Sequence, residues 1–154
     1  NLEGLLMQYG PFDIKHVIEQ LNPLQPEYIH TLGSTAEYRS ISDVSLAGLA
    51  TPAVFVVPNG EVGTLNDVAI RQMVTVSFSV IVIVQSYQYN VETPHLSVSN
   101  PVIGKIREQL MGWRPPVPGA KETFFVRGDI VDYTNSYLVW METYQTKIII
   151  GKNR

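Results

Sequence analysis

Residues 71–87 read RQMVTVSFSVIVIVQSY, and the reading of this stretch decides the fold. Val74, Val76, Phe78, Val80, Val82 and Val84 share one parity. Met73, Thr75, Ser77 and Ser79 take the other, which turns apolar at Ile81 and Ile83. Alternation with period two, rich in β-branched residues, predicts a strand. Its first half should be solvated on one face and its second half covered on both. At about 3.3 Å per residue the stretch spans roughly 56 Å, whereas an ordinary strand has about 5–6 residues. Such a strand is expected either to bend at a bulge or to reach past its own domain towards a neighbour.

The chain of 154 residues is long enough for one domain with a full core. Residues 1–154 are read as that single domain, with 1–10 an irregular N-terminal segment. Charged residues are only 16% of the chain, below the usual figure of about 25%. Weakly charged surface is often covered by a partner, which points towards an oligomer. The net charge of −3 and the scattered Lys and Arg argue against a domain that grips phosphates. With no cysteine, disulfides and thiolate metal sites are excluded, and the composition suits a reducing cytoplasm. The longest uncharged apolar run, Met73–Val84, contains Thr and Ser and falls short of the ~20 residues of a membrane helix.

Either side of the long strand, turn chemistry divides the chain. Pro11–Asn22 predicts a helix with the stripe Ile14, Val17, Ile18 and Leu21, stopped by Pro23. Tyr28–Leu32 is expected as a short strand ended by Gly33-Ser34-Thr35, and Ile41–Leu49 as a second helix capped by Ser40 or Ser42. The run AVFVV at Ala53–Val57 predicts a buried strand. Pro58-Asn59-Gly60 then reads as a turn opening an exposed, mobile loop. Gln88–Ser99 reads as a polar loop. Asn100 and Pro101 open a helix with the stripe Ile103, Ile106 and Leu110, and Gly112 closes it. Trp113–Gly119 is a proline-fixed exit. Phe124–Tyr133, with a bulge expected at Gly128, and Tyr137–Ile150 form a hairpin about Thr134-Asn135-Ser136. The fold class is α+β, a mixed or antiparallel sheet of four to five strands with helices packed mainly on one face.

A search for chemistry finds little. His16, His30 and His95 lack the spacing of a metal site. Gly60-Glu61-Val62-Gly63 precedes a strand rather than a helix, so it is no phosphate loop. No nucleophile elbow occurs. Asp129, Asp132 and Glu142 are the acidic residues that could form a catalytic pair. Asp129 and Asp132 have opposite parity and should face opposite ways. Glu142 lies on the apolar parity of Leu138, Trp140, Tyr144, Ile148 and Ile150. It belongs at an interface or rim, or is a partnered or solvated charge. Nothing else accompanies these carboxylates as a catalytic set would require. Trp113, Trp140, Tyr133, Tyr137 and Tyr144 suit core packing and also the anchoring of protein interfaces.

The order of elements resembles the tail terminator proteins of long-tailed bacteriophages, in particular those of contractile-tailed phages. The resemblance covers roughly residues 11–150. It rests on the AVFVVP strand (Ala53–Pro58), the RQMVTVSFSVIVIV strand, the helix exit LMGWRPP (Leu110–Pro116) and the closing LVWMETYQTKIII strand. The resemblance implies a structural virion protein with neither catalysis nor cofactor. Its subunits form a hexameric ring on the last ring of tail tube protein, stop tube polymerisation and offer a surface to neck or head-completion proteins, with the sheath as a further neighbour. Phage DNA would pass through the channel without specific binding, which an acidic balance suits. Such a protein is assembled in the host cytoplasm and needs no membrane. Candidate interface residues are Asn59, Gly60 and Glu61 in the glycine loop, Arg71, Thr75 and Ser77 on the long strand, Trp113 and Arg114 in the exit, and Tyr137 and Glu142 on the last strand. The competing readings are a head-completion or neck adaptor and a small α+β enzyme or ligand-binding domain.

Overall fold

The computed structural model describes residues 7–42, 48–65, 70–85, 89–90, 93–97, 101–133 and 137–152. The stretch quoted above becomes strand β4, Arg71–Gln85. In chain order the other elements are β1 (Met7–Gln8), α1 (Lys15–Leu21, continued by a 3-10 turn at Asn22–Leu24), β2 (Thr31–Gly33), α2 (Thr35–Ser42) and β3 (Ala53–Gly63). After β4 come β5 (Tyr89–Asn90), β6 (Thr93–Ser97), α3 (Val102–Leu110), β7 (Phe124–Tyr133) and β8 (Tyr137–Lys152).

The fold is α+β with a mixed sheet. β4 runs antiparallel to β8 over its whole length, from Arg71 opposite Gly151 to Gln85 opposite Tyr137. Its other side is antiparallel to β3, and β2 adds a parallel edge opposite Ala53–Phe55. β7 and β1 share the outer side of β8. Five strands, β2, β3, β4, β7 and β8, match the expected count, and the two-residue β1 adds a sixth at the edge. β5 and β6 form a separate ribbon where a polar loop was expected.

The length of β4 is therefore matched inside the domain, and β4 has no bulge relative to β8. The bulge lies in β3 instead, where Asn59 is the extra residue between Pro58 and Gly60. Gly60 takes φ +108°, a conformation that glycine adopts without strain. Pro58-Asn59-Gly60 is thus a bulge in a continuing strand, not a turn.

Alternation in β4 places two cores on the two faces of the sheet. Val74, Val76, Phe78, Val80, Val82 and Val84 pack with Val17 and Leu21 of α1 and with Val102, Ile103, Ile106 and Leu110 of α3. α1 and α3 are tied by reciprocal bonds, Gln20 Nε2 to the Gln109 carbonyl at 2.9 Å and Gln109 Nε2 to the Gln20 carbonyl at 2.8 Å. On the opposite face Ile81, Ile83, Ala53 and Phe55 form a smaller cluster, with Tyr38 of α2 against the Phe55 ring. Residues Val80–Val84 are accordingly buried from both sides. Met73, Thr75 and Ser77 remain half-buried on a face that no helix covers among the described residues.

Several boundaries move for physical reasons. α1 begins at Lys15 rather than Pro11. α2 begins at Thr35, ahead of the expected Ile41, because Glu37 reaches back to the residue before the helix: the Ser34 N–H donates to Glu37 Oε2 at 2.9 Å and the Ser34 hydroxyl donates to the same oxygen. The hydroxyl bond first, then the backbone bond, lower the Glu37 pKa. The remainder of the Ile41–Leu49 helix expectation falls partly on residues 43–47, outside the described residues. Pro101 stands at the N-cap of α3 rather than at its first turn, and Asn100 lies outside the described residues, as does the Thr134-Asn135-Ser136 turn. Gly112 ends α3 with φ +83°, as expected.

The proline exit is pinned to the sheet. Gly112 N–H donates to the Thr123 carbonyl and Thr123 N–H to that of Trp113, both at 2.8 Å. Lys121 N–H reaches the Lys147 carbonyl at 2.9 Å, and Thr146 Oγ1 donates to the Lys121 carbonyl at 2.7 Å. The exit thus fills the outer side of β8 between β7 and β1.

Candidate functional site

Glu142 sits at the centre of the most connected polar cluster among the described residues. It is fully buried on β8, on the helix side of the sheet. Arg107 of α3 donates to it twice, Nε to Oε1 at 2.8 Å and Nη2 to Oε2 at 2.7 Å. Tyr144 donates its hydroxyl to Oε1 at 2.9 Å and Trp140 its indole N–H to Oε2 at 2.8 Å. Each carboxylate oxygen therefore receives two donors, which is what a buried charge requires. The Arg107 guanidinium lies 4.5 Å from the Phe125 ring centroid. Its bonds to Glu142 raise the Arg107 pKa against the opposing effect of burial. Burial first, then the Glu142 charge, push the Tyr144 hydroxyl pKa far up, so it remains a donor.

β7 makes room for this cluster. Gly128 stands opposite Glu142, where a Cβ would lie 2.6 Å from Trp140 Cζ2 and 2.9 Å from Glu142 Oε2. Gly128 is not the bulge that was expected. The extra residues are Val126 and Val131. The second bulge resets the alternation, so Asp129 and Asp132, opposite Met141 and Val139, face the same way rather than opposite ways. Both point away from Glu142. Asp129 is held by Arg127, with Nε to Oδ2 at 2.8 Å. The three carboxylates do not converge, and the Glu142 carboxylate has no lone pair left for a general base or a cation. Among the described residues no group of three or more His, Asp and Glu gathers for a metal.

The other candidate residues lie in different surroundings. Asn59, Gly60 and Glu61 are exposed on the far half of β3. Asn59 donates to Ser79, and Glu61 Oε2 accepts the Phe12 N–H at 2.8 Å. Thr75 and Ser77 line the uncovered face, where Gln145 Nε2 donates to Ser77 Oγ at 3.1 Å. Arg71 begins β4 opposite Gly151. Trp113 is half-buried against the main core and Tyr137 against the smaller cluster. Arg114 is exposed and donates from Nε to Glu122 Oε1 at 3.0 Å. Glu142 takes the partnered-charge alternative and is inaccessible to a partner. The structure thus separates these residues among the β3–β4 arm, the open sheet face, the exit and the interior. Arg107, which orients Glu142, was missed; a charged residue one position from the apolar stripe of α3 was the available signal.

Exposed apolar side chains mark a different surface. Phe124, Val126, Ile130 and Val131 are 41–51% exposed on β7, and Val62, Leu65 and Ile70 are 57–100% exposed about the β3–β4 arm. Such local concentration is the usual mark of a protein contact surface. No helix among the described residues is long and apolar enough to cross a membrane.

Comparison with known families identifies the class of the protein. A model of the phage tail terminator protein family matches residues 7–154, almost the whole chain. The chain belongs to that family and is a structural component of the phage tail, hence of the virion. A search of curated proteins returns no match.

Proposed function

We propose that the chain is a ring-forming tail terminator of a contractile-tailed phage. Six copies close on the last ring of tail tube protein, stop its polymerisation and present the opposite face to neck or head-completion proteins, with sheath alongside. The observation that carries this reading is the family match over residues 7–154. The exposed apolar side chains on the β3–β4 arm and β7 support it, since a subunit that works by contact needs such surface. Termination then follows from one-sided complementarity. One face repeats the contacts of a tube subunit, and the other offers tube protein nothing further to dock on. The uncovered sheet face with Thr75 and Ser77, the exposed stretch about Asn59–Glu61 and the exit with Trp113 and Arg114 are the proposed docking elements. DNA passes through the ring without specific binding.

Incubation of the purified chain with polymerising tail tube protein tests this. Capped tubes of arrested length are expected. Binding only to portal or adaptor rings, with tubes growing on, would identify a neck adaptor instead.

A further inference from the structure

We infer that Asn59 and Gly60 form a site of spontaneous deamidation, and that Ser79 sets its rate. The inference does not depend on the ring reading. Asn59 is the only asparagine in the chain that glycine follows. With no side chain on the second residue, its backbone nitrogen can close on the asparagine side-chain carbonyl carbon. Asn-Gly commonly makes a two-residue hairpin turn. Here β3 continues through it instead.

The local structure leaves the reacting groups open to water. Asn59 is the extra residue of the β3 bulge and has no register partner on β4, so the ladder is disrupted there. Asn59 and Gly60 are both exposed. A Cβ built at Gly60 would meet nothing within 4 Å. β2 ends opposite Phe55, so no strand among the described residues covers this part of β3 on its outer side.

One contact restrains the side chain. Asn59 Nδ2 donates to the Ser79 hydroxyl. Ser79 is fully buried on β4, with the Thr143 hydroxyl 3.4 Å away, so the acceptor is fixed in place. Ring closure turns the carboxamide towards the Gly60 nitrogen, and this bond must break first. An exposed amide then bonds water instead, which keeps the cost modest. The contact with Ser79 therefore slows the reaction without blocking it.

The chemistry needs only water. The Gly60 nitrogen bonds to Asn59 Cγ as the Cγ–Nδ2 bond breaks, and the proton of that nitrogen leaves with the ammonia. Water then opens the imide, its hydroxyl going to a carbonyl carbon and its proton to the nitrogen. Opening at Cγ gives aspartate. Opening at the backbone carbonyl gives isoaspartate, which lengthens the backbone by a methylene within the bulge. Either product places a new carboxylate beside Glu61. In the aspartate form the bond to Ser79 reverses, since a hydroxyl can donate as well as accept.

Incubation of the folded chain at mildly alkaline pH, followed by peptide mass analysis, tests this. The peptide holding Asn59 is expected to shift from the amide to the acid mass and to separate into aspartate and isoaspartate forms, whereas Asn59→Gln keeps its amide. Ser79→Ala, which removes the acceptor, is expected to react faster than wild type, with thermal unfolding confirming that both are folded. A folded wild-type chain that keeps this amide while the urea-unfolded chain loses it would overturn the proposal, because the fold would then hold the pair inert. Equal rates in wild type and Ser79→Ala would overturn the part assigned to Ser79.

Discussion

Arg107 of α3 closes both Nε and Nη2 onto the two oxygens of the fully buried Glu142 of β8. This pair fastens the helix layer to the middle of the sheet, beside the hairpin that carries the exposed β7 strip. Removing one partner leaves the other without its charge complement. Breaking a buried pair costs about 3–5 kcal/mol, and Arg107 is a third exposed, which reduces the effect. Arg107→Met is therefore expected to destabilise by roughly 2–3 kcal/mol in urea denaturation. The double variant with Glu142→Leu should recover part of that loss, because no charge is then buried alone. Equal stability of Arg107→Met and wild type would refute a structural role for the pair.

The same cluster makes a prediction about pH. The folded-state pKa of Tyr144 lies above its unfolded value, through burial first and then the Glu142 charge. A raised pKa means that the folded form keeps a proton which the unfolded form loses above about pH 10. This contribution is complete below that pH and is lost as pH rises further. The fall in stability between neutral pH and about pH 11 should be shallower in Tyr144→Phe than in wild type. Identical slopes in paired denaturation curves would exclude the effect.

Two glycines should respond oppositely to alanine. Gly151 has φ +109°, and a Cβ there would lie 2.2 Å from the Ile70 carbonyl oxygen. Gly151→Ala is expected to cost roughly 2–3 kcal/mol. Gly104 lies exposed within α3, and a Cβ there meets nothing within 4 Å. Gly104→Ala should stabilise by about 0.5–1 kcal/mol. Thermal unfolding of the two variants distinguishes these outcomes by sign.

The two halves of β4 should also differ. Val82 is fully buried between the layers, and a carboxylate there has no partner. Val82→Asp is expected to exceed about 4 kcal/mol and to abolish folding. Ser77 lies on the uncovered face, so Ser77→Asp should change stability by no more than about 0.5 kcal/mol. Its effect is expected in weaker capping of tail tubes at an unchanged melting midpoint. Undiminished capping would remove that face from the docking elements.

The contrast in β4 also marks what the amino-acid sequence made legible. Parity alone placed Thr75 and Ser77 on a polar face and Val80–Val84 between two layers, because strand geometry converts alternation directly into faces. The stripe of α3 and Gly112 as its stop were readable for the same reason. The bulges were not. Asn59, Val126 and Val131 are extra residues only relative to their partner strands, and pairing register is not written in local sequence. One such bulge puts Asp129 and Asp132 on the same side, where parity alone predicts opposite sides. The Ser34-x-x-Glu37 spacing of a helix start is readable in the sequence, ahead of the weaker apolar pattern that points to Ile41. The apolar face of Glu142 is readable from parity, but its partner is not, since Arg107 is 35 residues away.

Negative-stain imaging of tail tube protein polymerised with and without the chain shows whether the proposed ring ends the tail tube. Tubes of arrested length are expected, each bearing at one end a ring of six copies. Tubes that grow to the same lengths in both samples, with the chain remaining unbound in solution, would contradict it.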